Sequence, residues 1–299
     1  MISVNSKISL IIPVFNESDE IGNFFNDLQL CNFNLINEII FVNDCSIDNS
    51  SDLIQKEINK FKKLPLDVKF LLINNFKNRG YGFSIKKGVE NSINDTIAII
   101  DLDRTYKIED LNILADKFVN EYKFKFDLIN GEREINSKNT SRLKIVGKTI
   151  INAIANFCFN EKIIDYNSGL RVFNKEKFIK HSHMMSDRFS LTTSMTITFL
   201  NENYEIKFLK IKYDERTGKS KLKLPDFFKF LYTIFSLLFY YKPYRIIMPL
   251  AIPIFAAFII FLVKDIFEKN LTDKTVLLFN FNFLLIILLF VIDRINKIK

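Results

Sequence analysis

The chain predicts an α/β domain built on a mainly parallel sheet, followed by a pair of helices that cross a membrane. Three observations carry this expectation. Short β-rich runs alternate with helical patterns from Lys7 onward. The fourth of these runs ends in Asp101-Leu102-Asp103, and two long uncharged apolar runs follow toward the C-terminus.

The elements can be justified in order. Ile8 to Val14 is a continuous apolar strand, and Asn16-Glu17-Ser18-Asp19-Glu20 then supplies a cap and first-turn acids for a helix to about Leu30. Glu38 to Val42 is a second strand, ending in Asn43-Asp44; Ser46 to Ser50 leads into a helix near 51–61. Val68 to Ile73 is a third strand, followed by a loop with Gly80 and Gly82 and a helix over about 83–91. Thr96 to Ile100 is the fourth strand. Beyond it, Phe126 to Asn130 ends in Gly131-Glu132-Arg133, Ser141 to Phe159 is helical, and Asp165 to Arg171 is a polar turn into a strand. Tyr204 to Tyr213 is β-like, and 222–245 is aromatic and apolar with spaced lysines, the pattern of amphipathic helices lying in a membrane interface.

Ile246 to Val263 is an 18-residue run without a charge, long enough at about 1.5 Å per residue to reach nearly across a hydrocarbon core of roughly 30 Å. Val276 to Ile292 is also uncharged but contains Asn280 and Asn282. Together they predict an antiparallel hairpin over 246–292, with a basic cytoplasmic tail at 293–299. The alternative, buried helices of a soluble domain, is disfavoured by the basic residues around the runs. Lys219, Lys221, Lys223, Lys229, Lys242 and Arg245 precede the first run, which places that side, and both termini, in the cytoplasm. The first residues lack the pattern of a signal peptide, so a cytosolic domain is expected. Asn280 and Asn282 could bond between helices of separate copies, giving a homo-oligomer.

Composition narrows the remaining classes. An apolar content of 48% excludes a disordered protein. The net charge of +8 is modest, its bias toward the membrane-proximal segment suits anionic lipid, and no nucleic-acid motif appears. Cys31, Cys45 and Cys158 have no metal-ligand spacing and should be free thiols in a reducing compartment. His181 and His183 fall in a predicted loop away from the motifs and are expected to be exposed. Gly218-Lys219-Ser220 resembles the end of a P-loop, but Tyr213 stands where that motif needs glycine.

In an open parallel sheet, ligands bind beyond the carboxyl ends of the strands. Here Asn16 and Glu17 follow the first strand, Asp44 and Asp48 the second, Arg79 and Gly80 the third, and Asp101 and Asp103 the fourth. Two hard carboxylates one residue apart suit Mg²⁺ or Mn²⁺ held against a diphosphate. By itself that pair is weak, because surface strand ends often carry it by chance. Its force comes from the acidic groups at three of the four strand ends.

The motifs in order resemble those of family 2 glycosyltransferases, and among them the polyprenyl-phosphate sugar synthases akin to dolichyl-phosphate mannose synthase. The residues concerned are Ile11-Ile12-Pro13-Val14-Phe15-Asn16-Glu17, Val42-Asn43-Asp44-Cys45-Ser46-Ile47-Asp48, Asn78-Arg79-Gly80-Tyr81-Gly82 with Lys87-Gly88, and Asp101-Leu102-Asp103. Gly131-Glu132-Arg133, Ser168-Gly169-Leu170-Arg171-Val172-Phe173 and Arg216-Thr217-Gly218-Lys219-Ser220-Lys221 follow, so the resemblance spans roughly 1–240. It implies a GT-A nucleotide-sugar-binding fold over 1–221, with base and ribose near Pro13, Asn16, Glu17 and Asp44. It also implies that Asp101 contacts the nucleotide sugar, Asp103 holds the cation and Arg133 meets the acceptor phosphate. Arg216, Ser220 and Lys221 would lie on a loop closing over the diphosphate. Three positions depart from the pattern: Asn43 and Cys45 stand where Asp and Gly are usual, and Thr105 where a Gln often helps bind metal.

The implied reaction is inverting transfer of a hexose from a nucleotide-diphosphate sugar, of the GDP-mannose or UDP-glucose type, to a polyprenyl phosphate. A phosphate monoester is already anionic at neutral pH and needs no strong general base. Three other readings compete. A processive polysaccharide synthase would usually carry a Gln-x-x-Arg-Trp element and more spans, and this chain has no Trp. Direct transfer to a glycan or protein hydroxyl would need a carboxylate base, for which Asp187 is the candidate. A non-enzymatic nucleotide-sugar-binding scaffold would not need Asp103, Arg133 and Arg216 together.

Overall fold

The computed structural model describes residues 7–65, 67–134, 142–159, 162–163, 165–214 and 224–298. The chain divides into two compact units, one comprising Met1–Ala153 with Lys162–Leu231, the other Ile154–Glu161 with Tyr232–Lys299.

The first unit is built on a seven-stranded sheet. Its strands are β1 (Ile8–Val14), β2 (Ile36–Asn43), β3 (Lys69–Asn74), β4 (Thr96–Ile99), β5 (Leu128–Arg133), β6 (Arg171–Asn174) and β7 (Ile206–Ile211), in the order β3-β2-β1-β4-β6-β5-β7. β1 pairs in parallel with β2 and β4, and β2 with β3. β6 is antiparallel to both β4 and β5, while β5 and β7 are parallel. β1 is nearly all apolar because both of its faces are covered. Leu10 and Ile12 join Phe24, Phe25, Ile54 and Leu111 in one layer, and Ile11 joins Ile85, Val89, Phe178 and Met195 in the other. Pro13 is tolerated in this central strand because it lies past Ile11↔Ile99, the last pair that β1 makes with β4.

The covering helices are α1 (Ser18–Leu28), α2 (Ser50–Phe61), α3 (Tyr81–Asn91), α4 (Ile108–Asp116), α6 (Lys175–His181) and α7 (Leu191–Asn201), while α5 (Arg142–Phe159) begins in the first unit and ends in the second. The crossovers after β1, β2 and β3 return each chain parallel, so the carboxyl ends of β1 to β4 share one edge. His181 corrects the expectation of an exposed loop histidine. It ends α6, is buried, and its Nε2 lies 2.9 Å from the Tyr204 hydroxyl. Burial pushes its pKa below the usual histidine value. Cys31, Cys45 and Cys158 are free.

α8 (Leu224–Tyr241) presents Phe228, Tyr232, Phe235 and Phe239 outward and buries Phe230, Ile234, Leu237 and Leu238, an amphipathic division at helical spacing. In the second unit, α9 (Tyr244–Glu268) and α10 (Asp273–Ile298) pair as a hairpin, and each is long and apolar enough to cross a membrane. Phe258 and Phe279 meet across it at 5.6 Å. The expected 264–275 connector is shorter than predicted. Asp265 stays helical because its carboxylate accepts from the Thr272 N–H (2.7 Å) and from the Thr272 and Thr275 hydroxyls (2.9 and 2.6 Å), closing a turn with Lys269 in the left-handed region. Asn282 turns inward and donates to the Leu278 carbonyl of its own helix, whereas Asn280 is exposed. Lys242 and Arg245 also act within the protein, donating to the terminal carbonyls of α5 at Phe159, Phe157 and Cys158. Cations there complement the orphan carbonyls and the negative end of the helix dipole.

Candidate active site

The loops leaving β1 and β2 are tied to each other. The Asn16 N–H donates to Ser46 Oγ (3.0 Å), the Ile47 N–H to Asn16 Oδ1 (2.9 Å), and the Glu17 N–H to Ser50 Oγ (3.0 Å). Asn16 takes φ +51°, a left-handed conformation that asparagine tolerates better than most residues. Asp48 accepts from the Ser18 N–H and the Ser50 N–H, each at 3.1 Å, which satisfies donors at the start of α1 and α2. Burial opposes the Asp48 charge, but the hydrogen bonds from Ser50 and Ser18 outweigh it and hold the pKa below the ordinary carboxylate value.

Asn43 and Asp44, at the end of β2, work on the scaffold. Asn43 Oδ1 accepts from the Ser46 hydroxyl (2.6 Å), and its amide donates to Asn74 Oδ1 (2.8 Å). This is chemistry an aspartate could not supply toward Asn74, and it accounts for the amide at this position. The buried Asp44 carboxylate accepts from Asn75 Nδ2 (2.9 Å), the Arg79 N–H (2.9 Å) and the Gly80 N–H (2.7 Å), so it clamps the loop after β3. Cys45 sits at φ +60°, where glycine would be unstrained.

Gly80 cannot carry a side chain. Its φ is +105°, and a Cβ would fall 2.6 Å from Arg188 Cδ and 2.7 Å from the Asp187 carbonyl. Arg79 is exposed with its guanidinium 3.7 Å over the Phe83 ring. A cleft of about 400 Å³ opens here, lined by Lys77, Asn78, Arg79, Asp187 and Arg188. Asp187 pairs with Lys86 at 2.7 Å.

Asp101 and Asp103 follow β4 and are half-buried. Asp103 Oδ1 accepts from the Thr105 hydroxyl (2.7 Å) and the Thr105 N–H (3.2 Å). Thr105 therefore orients the carboxylate. Arg104, directly after Asp103 at φ +60°, points away to Asp27 on α1 at 2.6 Å. Asp101 lies against Gly169, where an added Cβ would come within 2.4 Å of Asp101 Oδ2. The Gly169 N–H donates to the Tyr106 hydroxyl at 2.7 Å.

Arg133, at the end of β5, forms a fork with the fully buried Asp165: Nε to Oδ2 at 2.7 Å and Nη2 to Oδ1 at 2.8 Å. Its guanidinium also lies 5.1 Å from the centre of the Tyr213 ring. Burial disfavours its charge, but Tyr106 and Asp165 outweigh that and raise its pKa well above the usual arginine value. Burial also pushes the Tyr106 and Tyr81 phenols upward, Tyr81 further so by the negative Asp101 beside it. Arg216, Ser220 and Lys221 lie outside the described residues. Among the others, Asn16, Glu17, Asp44 and Asp48 gather at the ends of β1 and β2, Arg79 and Gly80 adjoin them through Asp44, and Asp101 and Asp103 follow β4. The sequence assigned no individual role to Asp165, Tyr81, Tyr106 or the buried Arg171. Asp165 opens the polar turn before β6, and Tyr81 lies inside the Arg79-Gly80-Tyr81-Gly82 motif, but neither residue type announces its partner.

A divalent cation fits this donor set. Among the described residues there is no cluster of three or more His, Cys, Asp or Glu able to form a closed cage. Mg²⁺ in nucleotide sites is commonly held by only one or two carboxylates together with substrate phosphates, which is what Asp103 and Asp101 can offer.

A parallel sheet whose carboxyl edge ends in this Asp pair, flanked by antiparallel β6, is a GT-A-like fold. Glucosyl-3-phosphoglycerate synthase from Mycobacterium tuberculosis, solved in complex with Mn²⁺, UDP and glucosyl-3-phosphoglycerate, shares that fold at a TM-score of 0.59 and 12% identity, covering 78% of this chain and 80% of that one. The same enzyme has been solved with Mg²⁺ and UDP. The chain matches Glycosyl transferase family 2 over residues 9–182 and belongs to that family. One relative is the glycosyltransferase AglJ of Haloferax volcanii, 23% identical over 220 residues that make up 73% of this chain and 66% of the relative, just under two thirds of its length. Another is the UDP-N-acetylglucosamine–dolichyl-phosphate N-acetylglucosaminyltransferase of Methanococcus voltae, 28% identical over 181 residues, 56% of this chain and 69% of that one.

Proposed function

We propose that this chain is a membrane-anchored, inverting glycosyltransferase that moves a hexose from a nucleotide-diphosphate sugar, of the GDP-mannose or UDP-glucose type, to a polyprenyl phosphate. The observation that carries the reading is the combination in one chain of Asp101 and Asp103 at the sheet edge with two helices long and apolar enough to cross a membrane. A polyprenyl phosphate keeps its chain in the bilayer and its phosphate at headgroup level, so the enzyme that uses it must be held at the surface. The exposed aromatic face of α8 and the hairpin of α9 and α10 supply that hold, and the names of relatives that use dolichyl phosphate support it. Residues 1–221 form the catalytic domain, 222–245 the interfacial helices and 246–292 the hairpin, with the catalytic domain and both termini cytoplasmic.

In this reading Pro13, Asn16, Glu17 and Asp44 shape the base and ribose site, and Asp48, Arg79 and Gly80 belong to the donor site around it, several of them by fixing loop backbone. Asp101 contacts the nucleotide sugar and Asp103 holds Mg²⁺ or Mn²⁺. When bound, the ion would offset the negative charge that develops on the leaving diphosphate. Arg133, held in place by its fork with Asp165, positions the acceptor phosphate. An acceptor oxygen attacks the anomeric carbon from the face opposite the diphosphate; the new C–O bond forms as the bond to the nucleoside diphosphate breaks, and the configuration inverts. Arg216, Ser220 and Lys221 close over the departing diphosphate.

The test is transfer from a panel of labelled nucleotide sugars into organic-extractable polyprenyl phosphate with Mg²⁺ or Mn²⁺, comparing wild type with Asp103→Ala. Lipid label that disappears with EDTA and in the variant is the expected result and names the donor. Donor binding with no lipid label from any donor would overturn the acceptor assignment and favour a glycan or protein hydroxyl.

A further inference from the structure

The loop between Asp165 and Arg171 is held at unusually many points. Asp165 accepts the Arg133 fork and the Asn167 N–H (3.2 Å). Asn167 Oδ1 accepts from the Thr192 hydroxyl at the start of α7, and the Gly169 N–H is fixed on Tyr106. The centre of the arrangement is Arg171, whose side chain is wholly buried. Its Nε donates to the Ser168 carbonyl at 2.8 Å, its Nη2 to the Tyr166 carbonyl at 2.7 Å and its Nη1 to Thr196 Oγ1 at 2.8 Å.

None of these three acceptors is a carboxylate. Burying a guanidinium costs several kcal/mol even after relaxation, and burial lowers its pKa to about 10. A hydrophobic side chain of similar volume could fill the same space without that cost. It could not grip two carbonyls of one loop at a fixed spacing, which the planar fork does. Between those carbonyls' residues and β6 lies Gly169, the residue on which the Asp101 carboxylate rests with no room for a Cβ.

We propose that Arg171 is a positioning residue for donor binding: by gripping the Tyr166 and Ser168 carbonyls it sets the Gly169 backbone that fixes the Asp101 carboxylate. The inference rests on the reading of Asp101 as a donor contact. It adds that the precision of that contact comes from a charged group outside the donor site.

The test uses the full-length protein and direct calorimetric binding of the donor identified by the transfer panel, together with KM for donor and acceptor. Arg171→Lys keeps the charge and loses the fork; Gly169→Ala pushes on Asp101 directly; Thr196→Val removes one acceptor of the fork but neither loop carbonyl. Arg171→Lys and Gly169→Ala should each weaken donor binding about tenfold in the folded fraction and leave the acceptor KM unchanged, while Thr196→Val should bind donor within about twofold of wild type. A merely structural role would lower the melting temperature and the active fraction without changing donor affinity. Wild-type donor affinity in folded Arg171→Lys would overturn the proposal. If Arg171→Lys does not fold, Gly169→Ala with wild-type donor affinity overturns it equally. Because donor binding is read without acceptor, a wild type that binds donor but does not glycosylate polyprenyl phosphate refutes the acceptor assignment alone.

Discussion

Asp165→Asn is the most informative perturbation of the site's architecture. The side chain is fully buried and accepts four described hydrogen bonds, three from Arg133 and one from the Asn167 N–H. The substitution keeps the shape but removes the charge, leaving the Arg133 guanidinium, itself only 14% exposed, without its carboxylate. Removing one partner of a buried ion pair costs about 3–5 kcal/mol. For a domain of this size, each kcal/mol shifts Tm by about 2–4 °C, so a fall of about 6–20 °C is expected. The chain has no Trp, but Cys31 and Cys158 are buried free thiols, so a thiol-reactive fluorophore reports unfolding of the detergent-solubilised protein. Arg133→Met with Asp165→Leu should recover most of the loss, because the pair is then replaced by apolar groups. A Tm of Asp165→Asn within about 2 °C of wild type would refute the claim that the buried carboxylate and its pairing with Arg133 anchor the loop.

Other consequences can be checked with the same assay. Cys45→Gly should raise stability by roughly 0.5–1 kcal/mol, since Cys45 occupies a left-handed conformation that costs a non-glycine residue more than glycine; an unchanged or lower Tm would contradict the strain. Gly80→Ala should do the reverse and by more, about 2 kcal/mol or above, because φ +105° and the Asp187 and Arg188 atoms leave no space for a Cβ. The lowered pKa of Asp48 means that the unfolded chain binds more protons there, so its contribution is present above its ordinary value of 3.8 and fades as pH falls through the lower folded value. Asp48→Asn should therefore lose stability at neutral pH, and the gap to wild type should close below pH 3.8; a gap that persists in acid would assign the effect to something other than charge.

Much of the fold was legible because it depends on local patterns. β1 and β4 are nearly continuous apolar runs dictated by burial on both faces, and the apolar centres of β2 and the half-exposed edge strand β3 read as strands from the same pattern. The Asp pair, Arg133 and the glycine turns stand at strand ends, where chain order alone predicts a shared edge. The sequence could not reveal which carboxylates act on the protein itself. Asp44 reads as a ligand-binding acid, yet its oxygens hold Asn75, Arg79 and Gly80. Arg133 reads as a free cation, yet Asp165 from a distant turn holds it. Lys242 and Arg245 read as lipid-facing charges, yet they cap α5. His181, assigned to an exposed loop, is buried against Tyr204.

The division has a physical cause. Periodicity, charge runs and turn residues are properties of neighbours in sequence, so the α/β alternation, the candidate metal-binding pair and the two long apolar helices were determined by the chain itself. A carboxylate, a guanidinium or an imidazole offers the same atoms whether it meets substrate, solvent or backbone. Its role depends on which donors and acceptors the crossovers bring within about 3 Å, and those partners are far apart in sequence. Only the tertiary structure decided that Arg133 would meet Asp165, that Asp44 would hold the loop after β3, and that Arg171 would reach Thr196 on α7.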